Sequence, residues 1–173
     1  MRGCVKQVNI RKASMTDLQE ILQIYAHARE RMRQNGNPSQ WGERWPWEEV
    51  VAEDIEAGQS FVTEEEGKIC GVFAFLPGIE PTYQKIENGS WLNEEAYGTI
   101  HRLAGDGWTK GVFAACQEYC GKIIPNIRID THADNHIMRH LLDKHGFKTC
   151  GIIYVEDGTP RIAYQKVFGS WAH

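Results

Sequence analysis

The sequence predicts one α/β domain over residues 7–169, with a mixed, partly parallel, twisted sheet of about seven strands flanked by about four helices. Three observations carry that expectation. Short runs with a two-residue apolar period alternate with longer stretches of 3.6-residue period. A glycine turn, Gly105-Asp106-Gly107, stands between a strand and a helix in mid-chain. No repeat, low-complexity linker or composition break divides the 173 residues, a length that suits one domain.

Residues 7–11 alternate polar and apolar side chains, as a half-buried strand does. Thr16 or Asp17 can cap the next helix, where Leu18, Ile21, Leu22, Tyr25, Ala28 and Met32 share one face. Asn35-Gly36-Asn37-Pro38 stops it. Trp41, Trp45 and Trp47 follow, three of the six tryptophans within seven residues, ahead of a short helix over 48–57 that closes at Gly58. Strands over 60–64 and 68–76 flank Glu65-Glu66-Gly67, a hairpin turn. Residues 77–93 are polar and irregular.

A strand over 96–103 leads into the glycine turn, and a helix carrying Val112, Cys116, Tyr119 and Cys120 on one stripe leaves it. Pro125 precedes a strand over 127–130. Asp134 or Asn135 caps a helix with Met138, Leu141, Leu142 and His145 on one face, and Gly146 suits its left-handed cap. Strands over 147–154 and 161–167 complete the order. Parallel pairing is expected where helices cross between strands.

Composition narrows the function. Hydrophobic residues at 42% and charged residues at 24% exclude a disordered or fibrous chain. Lys+Arg 19 against Asp+Glu 23 gives a net charge of -4, against a nucleic-acid partner held by broad charge neutralisation. No apolar run reaches the ~20 residues of a membrane helix. Residues 1–7 lack the apolar core of a signal peptide. A cytoplasmic protein without a membrane partner is expected.

The five cysteines, Cys4, Cys70, Cys116, Cys120 and Cys150, form no C-x-x-C pair. Cys116 and Cys120, four apart, could offer two metal ligands but read as small apolar residues on a buried stripe. His136 and His140 share that spacing without the glutamate of the zinc pattern H-E-x-x-H. No metal is expected.

Chemistry is expected at the glycine turn. Free backbone N–H groups at a helix N-terminus, at the positive end of its dipole, bind phosphate without a basic patch. Gly107 and Gly111 would let a ligand approach, and Lys110 would add charge; a tight connection serving geometry alone is the competing reading. Neither G-x-x-x-x-G-K-[ST] nor G-x-G-x-x-G is present.

Taken together, Ile100-His101-Arg102-Leu103-Ala104, the glycine turn with its helix, Asn135, Met138 and Gly146-Phe147 resemble the GNAT superfamily of acetyl-CoA-dependent N-acetyltransferases. The resemblance runs from about Val8 to Val167. Residues 127–132 through Tyr164-Gln165-Lys166 look like a bacterial subgroup of unassigned substrate. The resemblance implies acetyl-CoA as cosubstrate, with its pantetheine beside Leu103 and its pyrophosphate at Trp108, Thr109, Lys110, Gly111 and Val112. It also places Asn135 at the cofactor arm; the same residue can instead cap its own helix. Two features depart from the family pattern. The loop usually reads [RQ]-x-x-G-x-[GA], and Trp108 to Phe113 keep only the central glycine. Leu142 stands where many members carry a tyrosine acid.

The strand period puts Tyr97, Thr99, His101 and Leu103 on one face. Some members carry a histidine base at the position of His101, and imidazole titrates near neutrality; a histidine packed in the strand is the alternative. Tyr97 is a candidate acid or substrate contact. Trp41 and Trp45 fall on the acceptor side, where they could wall a slot or stack on a cationic amine, or simply pack the helices. Glu43 and Glu48 lie close by in sequence. No cysteine is assigned as a nucleophile. The expected reaction is acetyl transfer to a primary amine of a small molecule or peptide by direct attack, with a homodimer as the default assembly. A non-catalytic acyl-CoA-binding module on the same fold is the alternative.

Overall fold

The computed structural model describes residues 6–169, so Cys4 lies outside the described residues. Among the described residues, seven strands form one sheet: β1 (Asn9–Lys12), β2 (Ser60–Glu65), β3 (Lys68–Pro77), β4 (Gly98–Gly105), β5 (Asn126–Thr131), β6 (Lys148–Tyr154) and β7 (Pro160–Val167). Four helices among the same residues flank it: α1 (Leu18–Gln34), α2 (Glu48–Glu56), α3 (Val112–Ile123) and α4 (His136–Lys144). Two single 3₁₀ turns lie at Met15–Asp17 and Pro81–Tyr83. No helix among the described residues is long and apolar enough to cross a membrane.

The spatial order is β1-β2-β3-β4-β5-β7-β6. Every neighbouring pair is antiparallel except β4 and β5. Parallel pairing therefore follows one helical crossover, that of α3. After α4 the chain enters the outer strand β6, and the hairpin return puts β7 between β5 and β6. The β4–β5 contact is short: only Gly98↔Ile127 and Thr99↔Arg128 pair before the strands part.

Local chemistry sets the element ends. Asp17 accepts the Ser14 N–H at 2.8 Å and hydrogen bonds from the two terminal nitrogens of the Arg11 guanidinium, at 2.8 and 3.0 Å, tying β1 to the entry of α1. The Arg11 hydrogen bonds hold the Asp17 carboxyl down to about 2. A carboxyl lowered in the folded state adds stability above its unfolded pKa of ~3.9, and that stability is lost as pH falls towards the folded value. Asp17→Asn should cost about 1 kcal/mol at pH 7, since Arg11 is partly in water. Urea unfolding should show the difference shrinking between pH 4 and pH 2.

At the far end of α4, Gly146 has φ +82°. Its N–H donates to Asp143 O at 3.2 Å, and the Phe147 N–H donates to Leu142 O at 3.0 Å. These two bonds satisfy carbonyls the helix leaves open.

The sheet is covered on both sides. Phe113, Cys116 and Cys120 of α3 and Leu142 of α4 pack on Phe73, Ile100 and Ile127. Ile21 and Tyr25 of α1, with Val51 and Ile55 of α2, cover Val62, Val72 and Ala104. Tyr83 and Tyr97 join Ile153 and Ala163 in a third cluster. Cys116 and Cys120 are fully buried, as their stripe predicts. Burial pushes the Cys116 thiol well above its usual range.

One expectation fails within β4. Val72 pairs with Ala104 but Ala74 pairs with His101, so β4 carries one extra residue. Arg102 takes it up in a left-handed conformation, φ +52°. Asp54 of α2 grips its guanidinium with two bonds of 2.8 Å, and the Tyr25 hydroxyl donates to its carbonyl at 2.8 Å. The bulge turns Leu103 over to the cluster of Ile100 and Phe113. His101 stays on the other side, where Glu80 and Tyr83 meet it. The predicted shared face of Tyr97, Thr99, His101 and Leu103 therefore excludes Leu103.

Candidate functional site

Beyond Thr99 and Arg128, β4 and β5 diverge, and the site is built around that gap. On one side, a cavity of 680 Å³ runs from the N-terminus of α3 to that of α4. Of the residues assigned to the donor, Leu103, Thr109, Lys110, Gly111, Val112 and Asn135 line it. Trp108 does not; the residue is 72% exposed.

The turn's N–H groups divide into two sets. Asp106 accepts those of Trp108 and Thr109 at 3.0 and 2.8 Å, and also the Thr109 hydroxyl at 2.6 Å. Those donors are spent on the turn itself. Gly111, at φ +85°, is the N-cap of α3 and brings no side-chain oxygen. The first helical bond runs from the Ala115 N–H to Gly111 O at 3.0 Å. No side chain caps the N–H groups of Val112, Phe113 and Ala114, all of which line the cavity. A Cβ at Gly111 would meet nothing within 4 Å, so a ligand could approach the backbone there. Phe113 packs its ring edge-on to His145, 5.2 Å between centroids, and is almost wholly buried.

Charge around the cavity is mainly positive, although the chain is acidic overall. Arg31, Lys110 and Lys144 stand on its lining, with Asp134 as the acidic exception. Arg31 donates to Gly105 O and, at 3.1 Å, to Asp106 O, bracing the turn against α1. His145 is pushed below the usual imidazole range by burial, then by Lys144 and Lys166.

On the other side of the sheet, His101 and Asp130 each lie two residues past the last β4–β5 pair. His101 Nε2 lies 3.0 Å from Glu80 Oε2. The hydrogen bond from His101 holds the Glu80 carboxyl below its usual range, so Glu80 accepts and Nε2 carries the hydrogen. Tyr83 stands against His101, 6.2 Å between ring centroids, and its hydroxyl donates to Asp130 Oδ2 at 2.6 Å. Burial, then Asp130, raises the Tyr83 phenol well above its usual range, so it serves as a donor.

Tyr97 is nearly buried, and its hydroxyl accepts the Glu80 N–H at 2.8 Å. The Arg128 guanidinium lies 3.9 Å from its ring centroid. Trp41 packs edge-on against Tyr25 at 5.6 Å, within the α1–α2 cluster. Trp45 is half-buried and its carbonyl accepts from Arg29 at 3.3 Å. Trp41, Trp45, Tyr97 and His101 do not line the 680 Å³ cavity.

No family model and no curated protein matches the chain. Solved structures do. A GNAT-family acetyltransferase from Streptococcus agalactiae superposes with TM-score 0.86 at 28% identity, covering 94% of this chain and 96% of that one. A candidate acetyltransferase from Staphylococcus aureus matches at TM-score 0.67 and 29% identity, with coverages of 91% and 97%. The chain has the GNAT fold. A ribosomal-protein-alanine N-acetyltransferase from Brucella melitensis shares that fold at TM-score 0.61 and 19% identity, over 92% and 99%.

Within this GNAT fold, Leu142 is completely buried in the core. Its aliphatic side chain has no proton to give. Asn135 caps α4: its Oδ1 accepts the Met138 N–H at 3.1 Å, and its Nδ2 donates to Gln40 Oε1 at 3.0 Å. Both ends of the amide are engaged. Asn135→Ala should therefore lower stability by ~1 kcal/mol in a denaturant titration. An unchanged midpoint would mean that Gln40 alone holds the junction.

Sequence reasoning missed Glu80, Tyr83 and Asp130. A signal was present for the first. Glu80 precedes Pro81, and a carboxylate just ahead of a proline at the first helical position is a start signal. The turn at Pro81–Tyr83 is what it starts: Glu80 Oε1 accepts the Thr82 N–H at 3.3 Å.

Proposed function

We propose that the protein is an N-acetyltransferase that moves the acetyl group of acetyl-CoA to a primary amine by direct attack, with both substrates bound together. The uncapped N-terminus of α3, open to a positively charged cavity beside the β4–β5 gap, carries this reading. Three free N–H groups at the positive end of a helix dipole suit a pyrophosphate. Acetyl-CoA supplies an activated thioester; the chain supplies place and proton transfer.

In this reading Val112, Phe113 and Ala114 donate backbone N–H groups to phosphate oxygens, with Lys110 as counter-charge. Leu103 offers apolar surface to the pantetheine arm, and Gly111 keeps the approach open. His101 Nδ1, which has no hydrogen-bond partner among the described residues, receives the amine proton directly or through water. Water takes the place of the missing tyrosine as proton source for the departing thiolate. Trp41 and Trp45 border the acceptor side. Tyr97 acts through Glu80, whose backbone it holds. The acceptor is a small-molecule or peptide amine.

Gly111→Asp tests the donor placement, because it puts a negative charge at the free N–H groups. Acetyl-CoA affinity by calorimetry should fall about tenfold, the scale of a helix-terminus charge effect. Gly111→Asn is the control, since asparagine tolerates the left-handed region without the charge. Equal affinity in both variants and the parent would overturn this placement. Coenzyme A release measured with a panel of amines tests the reaction; tight binding without release across the panel would leave an acyl-CoA-binding module.

A further inference from the structure

We infer that Glu80 is the positioning residue of His101, fixing its ring so that Nδ1 carries the free lone pair. The inference rests on the acetyltransferase reading above.

The contact is built from both ends. A carboxylate only accepts hydrogen bonds, so Glu80 Oε2, 3.0 Å from His101 Nε2, takes a hydrogen from that nitrogen. In a neutral imidazole the other nitrogen is then the acceptor. Glu80 is itself held in place. Its Oε1 accepts the Thr82 N–H at 3.3 Å and the Thr82 hydroxyl at 3.0 Å, leaving Oε2 for His101. Its backbone N–H donates to the Tyr97 hydroxyl at 2.8 Å, and Pro81 restricts the chain on its other side. Tyr97 and a proline-anchored turn thus fix the one carboxylate that meets the imidazole.

An ordinary surface ion pair would not look like this. The His101 and Glu80 side chains are only 21% and 17% exposed, and they sit beside the opening between β4 and β5. Tyr83 packs against the ring and is pinned to Asp130, which limits rotation of the histidine. The charged and titratable groups around His101 are Glu80, Tyr83 with Asp130 behind it, and Tyr97. A base held this way has one nitrogen committed and one available, the arrangement a directed proton transfer needs.

The test uses the full-length protein and two variants. Nitrogen-15 NMR of the ring should show the His101 Nε2–H in slow exchange in the parent, lost in Glu80→Ala and restored in Glu80→Gln, whose amide oxygen can accept the same bond. Turnover of an accepted amine should fall about tenfold in Glu80→Ala with acetyl-CoA affinity unchanged, a part of the ~10²–10⁴-fold a positioned base provides. Glu80→Gln should recover most of that loss. A slow-exchanging Nε2–H that persists in Glu80→Ala overturns the inference. So does full turnover in Glu80→Ala once the resonance is gone. If the alanine variant does not fold, Glu80→Gln with neither the resonance nor activity overturns it as well. Absence of any turnover by the parent overturns the acetyltransferase reading itself, and the NMR result then reports only on the histidine–carboxylate contact.

Discussion

His101→Ala should lower amine acetylation by about 10²–10⁴-fold while acetyl-CoA still binds, because general-base assistance is worth that much and the imidazole does not line the donor cavity. His101→Gln separates proton transfer from hydrogen bonding. Its amide can still pair with Glu80 but cannot take a proton near neutral pH. Both variants should therefore be similarly slow. Near-parental turnover in His101→Ala would make the residue structural and leave water as the proton acceptor.

Asp54→Ala should destabilise the fold strongly, more than Asp17→Asn or Asn135→Ala. Asp54 and Arg102 are both largely buried and joined by two bonds of 2.8 Å. Removing one partner of such a pair leaves a desolvated charge, at a cost of about 3–5 kcal/mol. The pair also holds Arg102 in its left-handed conformation, which costs a non-glycine residue about 1–2 kcal/mol. A loss of that size corresponds to roughly 10 °C in Tm for a chain of this length. Relaxation of the bulge would also let β4 return to plain alternation and rotate Leu103 away from the cavity. Acetyl-CoA affinity should fall along with stability. A variant as stable as the parent would mean that Tyr25 alone secures the bulge.

The sequence carried the parts of this fold that local chemistry decides. Gly146 marks the end of α4 because a left-handed residue is needed there, and Asn135 marks its start because a side-chain oxygen is needed for Met138. Strand order was not legible. Nothing between residues 148 and 167 says that β7, rather than β6, lies next to β5. The bulge was not legible either, because Arg102 is no turn residue. Its conformation is set by Asp54 and Tyr25, which lie 48 and 77 residues away in the chain. Of the candidate site, the glycine turn could be placed from the helix that follows it. Which N–H groups Asp106 would consume could not, since Asp106 read only as part of a turn. Asn135 had two readings in the sequence; its side chain caps α4 at Met138, and the same residue lines the donor cavity.

Two residue pairs are all that join β4 to β5, so the sheet is two antiparallel blocks, β1–β4 and β5–β7–β6, stitched laterally by a very short seam. Such a seam offers few cross-strand amides to resist opening, which makes it the natural fracture line of the molecule under heat or force. The donor cavity lies along that line, with Leu103 to Gly105 on one bank and the start of α4 on the other. A ligand touching both banks acts as a rivet. At a concentration of about 100 Kd it would add ~2.7 kcal/mol to the folded state by mass action alone. Much of that gain should fall on the weakest joint in the sheet, so the loaded protein would fail along a different line from the empty one.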